Sequence, residues 1–222
     1  GADAYLARFA ASETERTAVA QAMAVHETYF FRNRPQLELL RAALLPALLE
    51  QGSARLLSAG CATGEEAYTL AILALEAGFA TRDVRVHAVD VSELALAKGR
   101  AGIFSGYSMR DVGQDQRARW FERAGARWRV RPELLSLVKF EQGNLSDGRG
   151  EWATGGWDLC LCRNVLMYQT PAATGRILCH LERAMSARGC LVVGHAEALR
   201  DQPSFVVQEQ GGVFYYVKAA RS

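Results

Sequence analysis

The stretch "ARLLSAGCATGEEAYTL" (54–70) decides the architecture of this chain. Its first part is a short apolar run ending in Gly60, which is how a parallel strand buried on both faces reads. In its second part, and just beyond, Ala67, Leu70, Ala71 and Ala74 recur at the i, i+3, i+4, i+7 spacing of one helical face. Gly78 ends that helix. A strand that turns through glycines into a helix opens an α/β sheet, and ligands of such sheets sit beyond the carboxyl ends of the strands, where the strand order reverses. Gly60 and Gly64 let the backbone turn tightly and approach a ligand closely. Taken alone, they suit an ordinary strand-to-helix turn as well.

The alternation continues outward. "VRVHAVD" (84–90) reads as the second strand, with Ser92 capping the helix after it. "LVKFEQGN" (137–144) and "WDLCLCRN" (157–164) read as the third and fourth. Thr170-Pro171 starts a helix, because Pro at the first helical position forfeits no internal hydrogen bond. Ile177, Leu178, Leu181, Ala184 and Met185 form its buried face, Gly189 is its expected stop, and "CLVVGH" (190–195) is the fifth strand. In "FVVQEQGGVFYYVK" (205–218), Gly211-Gly212 separates two strand-like runs, the mark of a hairpin. Residues 1–33 look helical, with too few apolar positions for an independent domain. Residues 100–131 are rich in arginine, and "RWRVRPEL" (127–134) alternates like a short exposed β-ribbon.

Composition narrows the class. At 222 residues, half of them hydrophobic, the chain suits one α/β domain with a small appendage. With 26 basic and 24 acidic residues the net charge is +2, which gives no polyanion-binding signal. No apolar run approaches the roughly 18–20 residues that span a bilayer, so no direct membrane insertion is expected. The chain opens on Gly1 rather than Met and is read as a trimmed fragment. Cys61, Cys160, Cys162, Cys179 and Cys190 form no C-x-x-C pair. They are read as small buried thiols of a reducing cytoplasm, and no metal site is expected.

Asp90 changes the weight of the glycine turn. An acid at the end of the second strand, about 26 residues beyond Gly64, can accept both ribose hydroxyls of a nucleoside. Dinucleotide enzymes share that acid, but their pyrophosphate needs G-x-G-x-x-G and a bare helix N-terminus. Here the helix opens with Glu65 and Glu66, which repel pyrophosphate and suit a cofactor carrying a sulfonium and an ammonium. The contrast favours S-adenosylmethionine over NAD. The expected fold is therefore α/β: a Rossmann-like sheet of the S-adenosylmethionine-dependent methyltransferase plan, mostly parallel, with a C-terminal antiparallel hairpin and a small inserted β-ribbon.

Seven segments carry a family resemblance: "ETYFFR" (27–32), "ATGEEAYTLA" (62–71), "AVDVS" (88–92), "GIFSGYSMRDV" (102–112), "NL" (144–145), "CRNVLMY" (162–168) and "GHAEAL" (194–199). In this order they resemble the motifs of the chemotaxis receptor glutamate O-methyltransferase (CheR) family, from about residue 26 onward. The resemblance implies S-adenosylmethionine as cofactor and S-adenosylhomocysteine as product. It implies contacts to the cofactor from His26, Thr28, Arg32, Gly60, Glu66, Asp90, Asn144, Leu145, Arg163 and Asn164, and catalytic roles for Arg163 and Tyr168. Arg32 would hold the methionine carboxylate, Glu66 the ammonium and Asp90 the ribose, with Asn144 and Leu145 beside the adenine. His26 stands where the family usually has Asn, which implies altered affinity.

The implied chemistry is an in-line displacement on the sulfonium methyl by a glutamate carboxylate. That carboxylate ionises near pH ~4.3, so no general base is required. Arg163 either holds the attacking carboxylate or serves the cofactor, and the sequence does not separate the two. Residues 1–25 are expected to be the last helix of the family's N-terminal helical domain, and residues 26–222 the methyltransferase domain, with the ribbon inserted at about 120–137. The implied partner is the cytoplasmic helical domain of a methyl-accepting receptor, met by a cytoplasmic monomer. In "WFERAGARWRV" (120–130) only Ala124-Gly125-Ala126 separates the ribbon strands, so binding without a C-terminal pentapeptide tether is expected. Other readings are an S-adenosylmethionine-binding regulatory module without turnover and a methyltransferase of a different protein substrate. The Pro-Pro-aromatic and Pro-Cys signatures of nucleic-acid methyltransferases do not occur.

Overall fold

The computed structural model describes residues 11–12, 28–199 and 202–220. The N-terminal segment expected at 1–25, and His26, lie outside the described residues.

Seven strands form the main sheet: β1 (Ala54–Ala59), β2 (Val84–Asp90), β6 (Val138–Gln142), β7 (Trp157–Cys162), β8 (Met185–Val193), β9 (Phe205–Gln210) and β10 (Val213–Lys218). Their order is β6-β2-β1-β7-β8-β10-β9. The first five in that order run parallel. β10 lies antiparallel between β8 and β9. Gly211 and Gly212, with φ of 60° and 77°, make the two-residue turn that the twist of a hairpin requires. The expected mostly parallel α/β sheet with a reversed hairpin strand is the fold observed.

Residues that alternate along each strand pack into two separate layers. Leu56, Leu159, Leu161 and Val192 face one cluster, together with the helices α1 (Arg34–Leu39), α2 (Leu45–Leu49) and α3 (Glu65–Ala77). A π-helical turn, Leu40–Leu44, joins α1 to α2. Leu57, Ala59, Cys160, Cys162, Leu191 and Val193 face the other cluster, with Ile177, Leu178 and Leu181. Each fully buried Leu contributes about 1.5–3 kcal/mol. Ser92 caps α4 (Glu93–Ala101) by accepting from the Ala95 N–H at 3.3 Å.

A three-stranded antiparallel sheet is inserted after α4: β3 (Ile103–Phe104), β4 (Phe121–Ala124) and β5 (Arg127–Val130), in the order β3-β5-β4. Helix α5 (Gln114–Trp120) leads into β4. Of the expected ribbon 120–137, Pro132–Leu137 is instead a short helix, α6, because Pro132 sits at its start and Leu134 and Leu137 turn into the core.

The helix α7 (Pro171–Ala184) starts as expected, with the Thr170 hydroxyl accepting from the Ala173 N–H at 3.3 Å. It ends earlier than expected, and Met185 already begins β8. Gly189 is therefore no helix stop. It lies inside the strand, where a Cβ would come within 2.7 Å of the Trp157 carbonyl oxygen. Among the cysteines, Cys61, Cys160 and Cys162 are buried as expected, and burial raises their thiols well above the usual range. Cys179 is exposed on α7, which corrects its reading as a buried thiol.

Candidate active site

The strand order reverses between β1 and β7, and a cavity opens at the carboxyl ends of these two strands. It is lined by Thr28, Arg32, Gly60, Cys61, Ala62, Glu66, Arg163, Asn164 and Tyr168. Seven residues singled out from the sequence thus come together, from three separate stretches of chain. The enclosed part measures about 60 Å³, well below the roughly 300 Å³ of an ordinary small-molecule site.

Three predicted residues lie outside that lining. Asp90 ends β2, and its Oδ2 accepts from the Ala62 N–H at 2.8 Å while its Oδ1 accepts from the Ser92 N–H at 2.9 Å. The Asp90 carbonyl accepts from the Gly143 N–H at 3.0 Å, which ties the turn carrying Asn144 and Leu145 to the same corner. Asn144 caps that turn by accepting from the Ser146 N–H at 2.9 Å, and Leu145 is buried in the second core cluster.

The two acids that open α3 have different surroundings. Glu65 points away from the cavity and accepts from the hydroxyls of Thr63 at 2.6 Å and Ser108 at 2.9 Å. Burial raises its carboxyl above the usual range, against those hydrogen bonds. Glu66 faces the cavity. Its Oε1 accepts from the Ser58 hydroxyl at 2.6 Å, and its Oε2 accepts from Arg163 Nε at 2.7 Å. Arg163 also donates to the Arg32 carbonyl at 2.8 Å and to Gln36 Oε1 at 3.2 Å. Gln36, which the sequence reading missed, is buried and donates to the Val193 carbonyl at 2.6 Å, joining α1 to the end of β8.

The backbone around the cavity is strained. Among the described residues, the non-glycine positions with left-handed φ are Phe31 (59°), Asn33 (65°), Ala62 (48°) and Asn164 (58°). Ala62 and Asn164 line the cavity, and the other two flank Arg32. Strain of this kind concentrates where a structure holds a ligand or a reacting group. Gly60 has φ of 80°, and a Cβ there would meet Val165 Cγ2 at 2.4 Å. Its glycine is required twice over.

Residues 26–213 match the family described as "CheR methyltransferase, SAM binding domain". The chain belongs to the CheR methyltransferase family. It is 31% identical over 215 residues to chemotaxis protein methyltransferase 1 of Pseudomonas aeruginosa, covering 91% of this chain and 78% of that one. It is 30% identical over 195 residues to a chemotaxis protein methyltransferase of Listeria innocua, covering 86% and 72%. Among solved structures, an O-methyltransferase family protein from Burkholderia thailandensis shares the fold, with a TM-score of 0.51 and 14% identity over 97% of this chain and 62% of that one.

S-adenosylmethionine is the cofactor of this CheR-family domain, and the residues present suit it. A carboxylate has about four acceptor positions. Asp90 commits two to backbone N–H groups and keeps capacity for ribose hydroxyls. Among the described residues, no helix is long and apolar enough to cross a membrane.

Proposed function

We propose that this domain methylates glutamate side chains of chemotaxis receptors, giving glutamyl methyl esters. The observation that carries this reading is the lack of a usable base among the described lining residues. Glu66 is the acid of the cavity, and it is engaged by Arg163 and Ser58. Cys61 is held as a neutral thiol by burial. Such a site suits an acceptor that arrives already ionised, as a carboxylate does at neutral pH, and suits an amine or alcohol poorly. The names of the relatives from P. aeruginosa and L. innocua supply the chemotaxis setting.

The bound cofactor supplies an electrophilic methyl group on a sulfonium. The chain's own residues align and desolvate the acceptor. Arg32 holds the methionine carboxylate of the cofactor, and Tyr168, which also lines the cavity, positions the incoming carboxylate and offers its ring to the positive charge. Arg163 is a wall of the cofactor site in this reading, since its Nε and Nη1 are engaged by Glu66, Gln36 and the Arg32 carbonyl. Asp90 holds the ribose, and Asn144 and Leu145 flank the adenine.

The substrate is met without a pentapeptide tether in this reading. Ala124 pairs with Arg127, so only Gly125 and Ala126 turn between β4 and β5. That leaves no loop to fold over a peptide added at the ribbon edge. Several arginines of this region are engaged internally: Arg123 stacks on Trp128 at 4.0 Å, Arg131 pairs with Glu122 at 3.1 Å, and Arg100 pairs with Glu93. Arg127 and Arg129 remain exposed toward an acidic receptor helix.

The test is incubation with methyl-labelled S-adenosylmethionine and the cytoplasmic domain of a receptor. Glutamyl esters release labelled methanol at alkaline pH, and methylated amines do not. Label that stays on the protein through base, or no label at all, would sink the reading.

A further inference from the structure

We infer that Glu197 is a positioning residue that fixes the loop carrying Arg163, Asn164 and Tyr168; its bearing on methyl transfer rests on the function proposed above. Glu197 lies in the loop after β8 and does not line the cavity with Tyr168. Its carboxylate collects three backbone donors from two different loops. Oε2 accepts from the Asn164 N–H at 2.9 Å and from the Gly194 N–H at 2.6 Å, and Oε1 accepts from the Met167 N–H at 3.0 Å. Asn164 and Met167 are the two ends of the turn that leaves β7. Arg163 stands one residue before the first of these anchors and Tyr168 one residue after the second.

The chemistry of the contact selects a carboxylate. Three N–H groups that converge on one point need an acceptor without a competing donor and with two oxygens. An amide has one oxygen and turns an N–H₂ toward the third donor. Charge also strengthens each bond to a backbone N–H. Gly194 is part of the device, because a Cβ there would lie 2.5 Å from Glu197 Oε2 and 3.0 Å from the Asn164 nitrogen. The clamp also offsets the left-handed backbone of Asn164, at φ 58°. Leu166–Tyr168 is a single 3₁₀ turn and Tyr168 is exposed, so little packing would otherwise hold the ring at the cavity.

Glu197→Gln separates positioning from folding. One amide oxygen retains the Asn164 and Gly194 bonds, while the N–H₂ faces the Met167 N–H and opens the Tyr168 end of the turn. The full chain is compared with the variant in three readouts: backbone amide exchange, S-adenosylhomocysteine affinity, and kcat against KM for the receptor domain. Expected are faster exchange confined to residues 164–169, an affinity within about threefold, and a kcat lower by about 10–100-fold, the scale of a misplaced reacting group. Adding Tyr168→Phe to Glu197→Gln should cost much less than it does in the wild type, since both act through one side chain. Unchanged exchange at 164–169, or faster exchange with unchanged kcat, overturns the inference. If Glu197→Gln does not fold, Glu197→Asp, one methylene short, is read by the same three measurements. If the wild type methylates no receptor domain, the functional reading fails; the clamp is then decided by exchange, and by whether Glu197→Gln removes the protection that S-adenosylhomocysteine gives to residues 166–169.

Discussion

Arg163 Nε donates to Glu66 Oε2 at 2.7 Å, with the two side chains 5% and 11% exposed. A pair this well buried stabilises little beyond an apolar substitute, but removing one partner strands the other charge. Glu66→Ala or Arg163→Met alone is expected to lower stability by about 3–5 kcal/mol in urea denaturation. The double variant Glu66→Ala/Arg163→Met should recover a good part of that loss. Losses that simply add would mean the pair is not coupled.

Gly60 admits no side chain. Gly60→Ala imposes a left-handed alanine, at about 1–2 kcal/mol, and drives a methyl into Val165, with overpacking of about 1–3 kcal/mol. Both stability and S-adenosylhomocysteine affinity should fall. Adding Val165→Ala should return the packing share and leave the backbone share. Calorimetry that finds Gly60→Ala binding like the wild type would refute the assignment of this turn to the cofactor.

Tyr168→Phe keeps the ring and removes the hydroxyl. Turnover should drop at least about tenfold, equivalent to about 1.4 kcal/mol of transition-state interaction, while S-adenosylhomocysteine binds within about twofold. Equal losses in both would make Tyr168 a wall of the cavity and nothing more.

Glu65 gives a pH signature. Burial raises its folded pKa above the unfolded value, so between the two the native state binds the proton more tightly than the unfolded chain. The associated stability is fully present below the unfolded pKa and is lost as pH rises through the raised one. Glu65→Gln keeps the hydrogen-bonding shape and does not ionise. Its stability relative to wild type should therefore grow with pH from the ordinary glutamate range upward and level off above the raised value. Urea midpoints of the two proteins at a series of pH values check this, and a flat difference would refute it.

The sheet was legible because each strand carries its own local signal. Gly60 and Gly64 marked the turn, Asp90 the end of β2, Thr170-Pro171 the start of α7, and Gly211-Gly212 the hairpin. The division of labour between Glu65 and Glu66 was not legible. Neighbouring positions on a helix point about 100° apart, and only the placement of Ser108 and Arg163 decides which acid meets the cavity. Gln36 and Glu197 escaped for a related reason: each makes hydrogen bonds to backbone groups far away in sequence, and backbone groups leave no mark on residue identity. Gly189 was misread because a glycine needed for close approach to Trp157 looks the same as one that ends a helix.

The place of β10 bears on how the chain is made. Although it follows every other described strand in sequence, it lies inside the sheet, hydrogen-bonded to β8 on one side and β9 on the other. A nascent chain on the ribosome therefore cannot complete the sheet until residues near 218 have emerged, and β8 keeps a bare edge until then. Deleting residues 213–218 removes an interior strand and leaves the outer one. β9 would lose its neighbour, and Tyr216, whose hydroxyl accepts from the Leu199 N–H at 3.1 Å, would no longer hold the segment that follows Glu197. Translation thus assembles the carboxyl-terminal side of the cavity last.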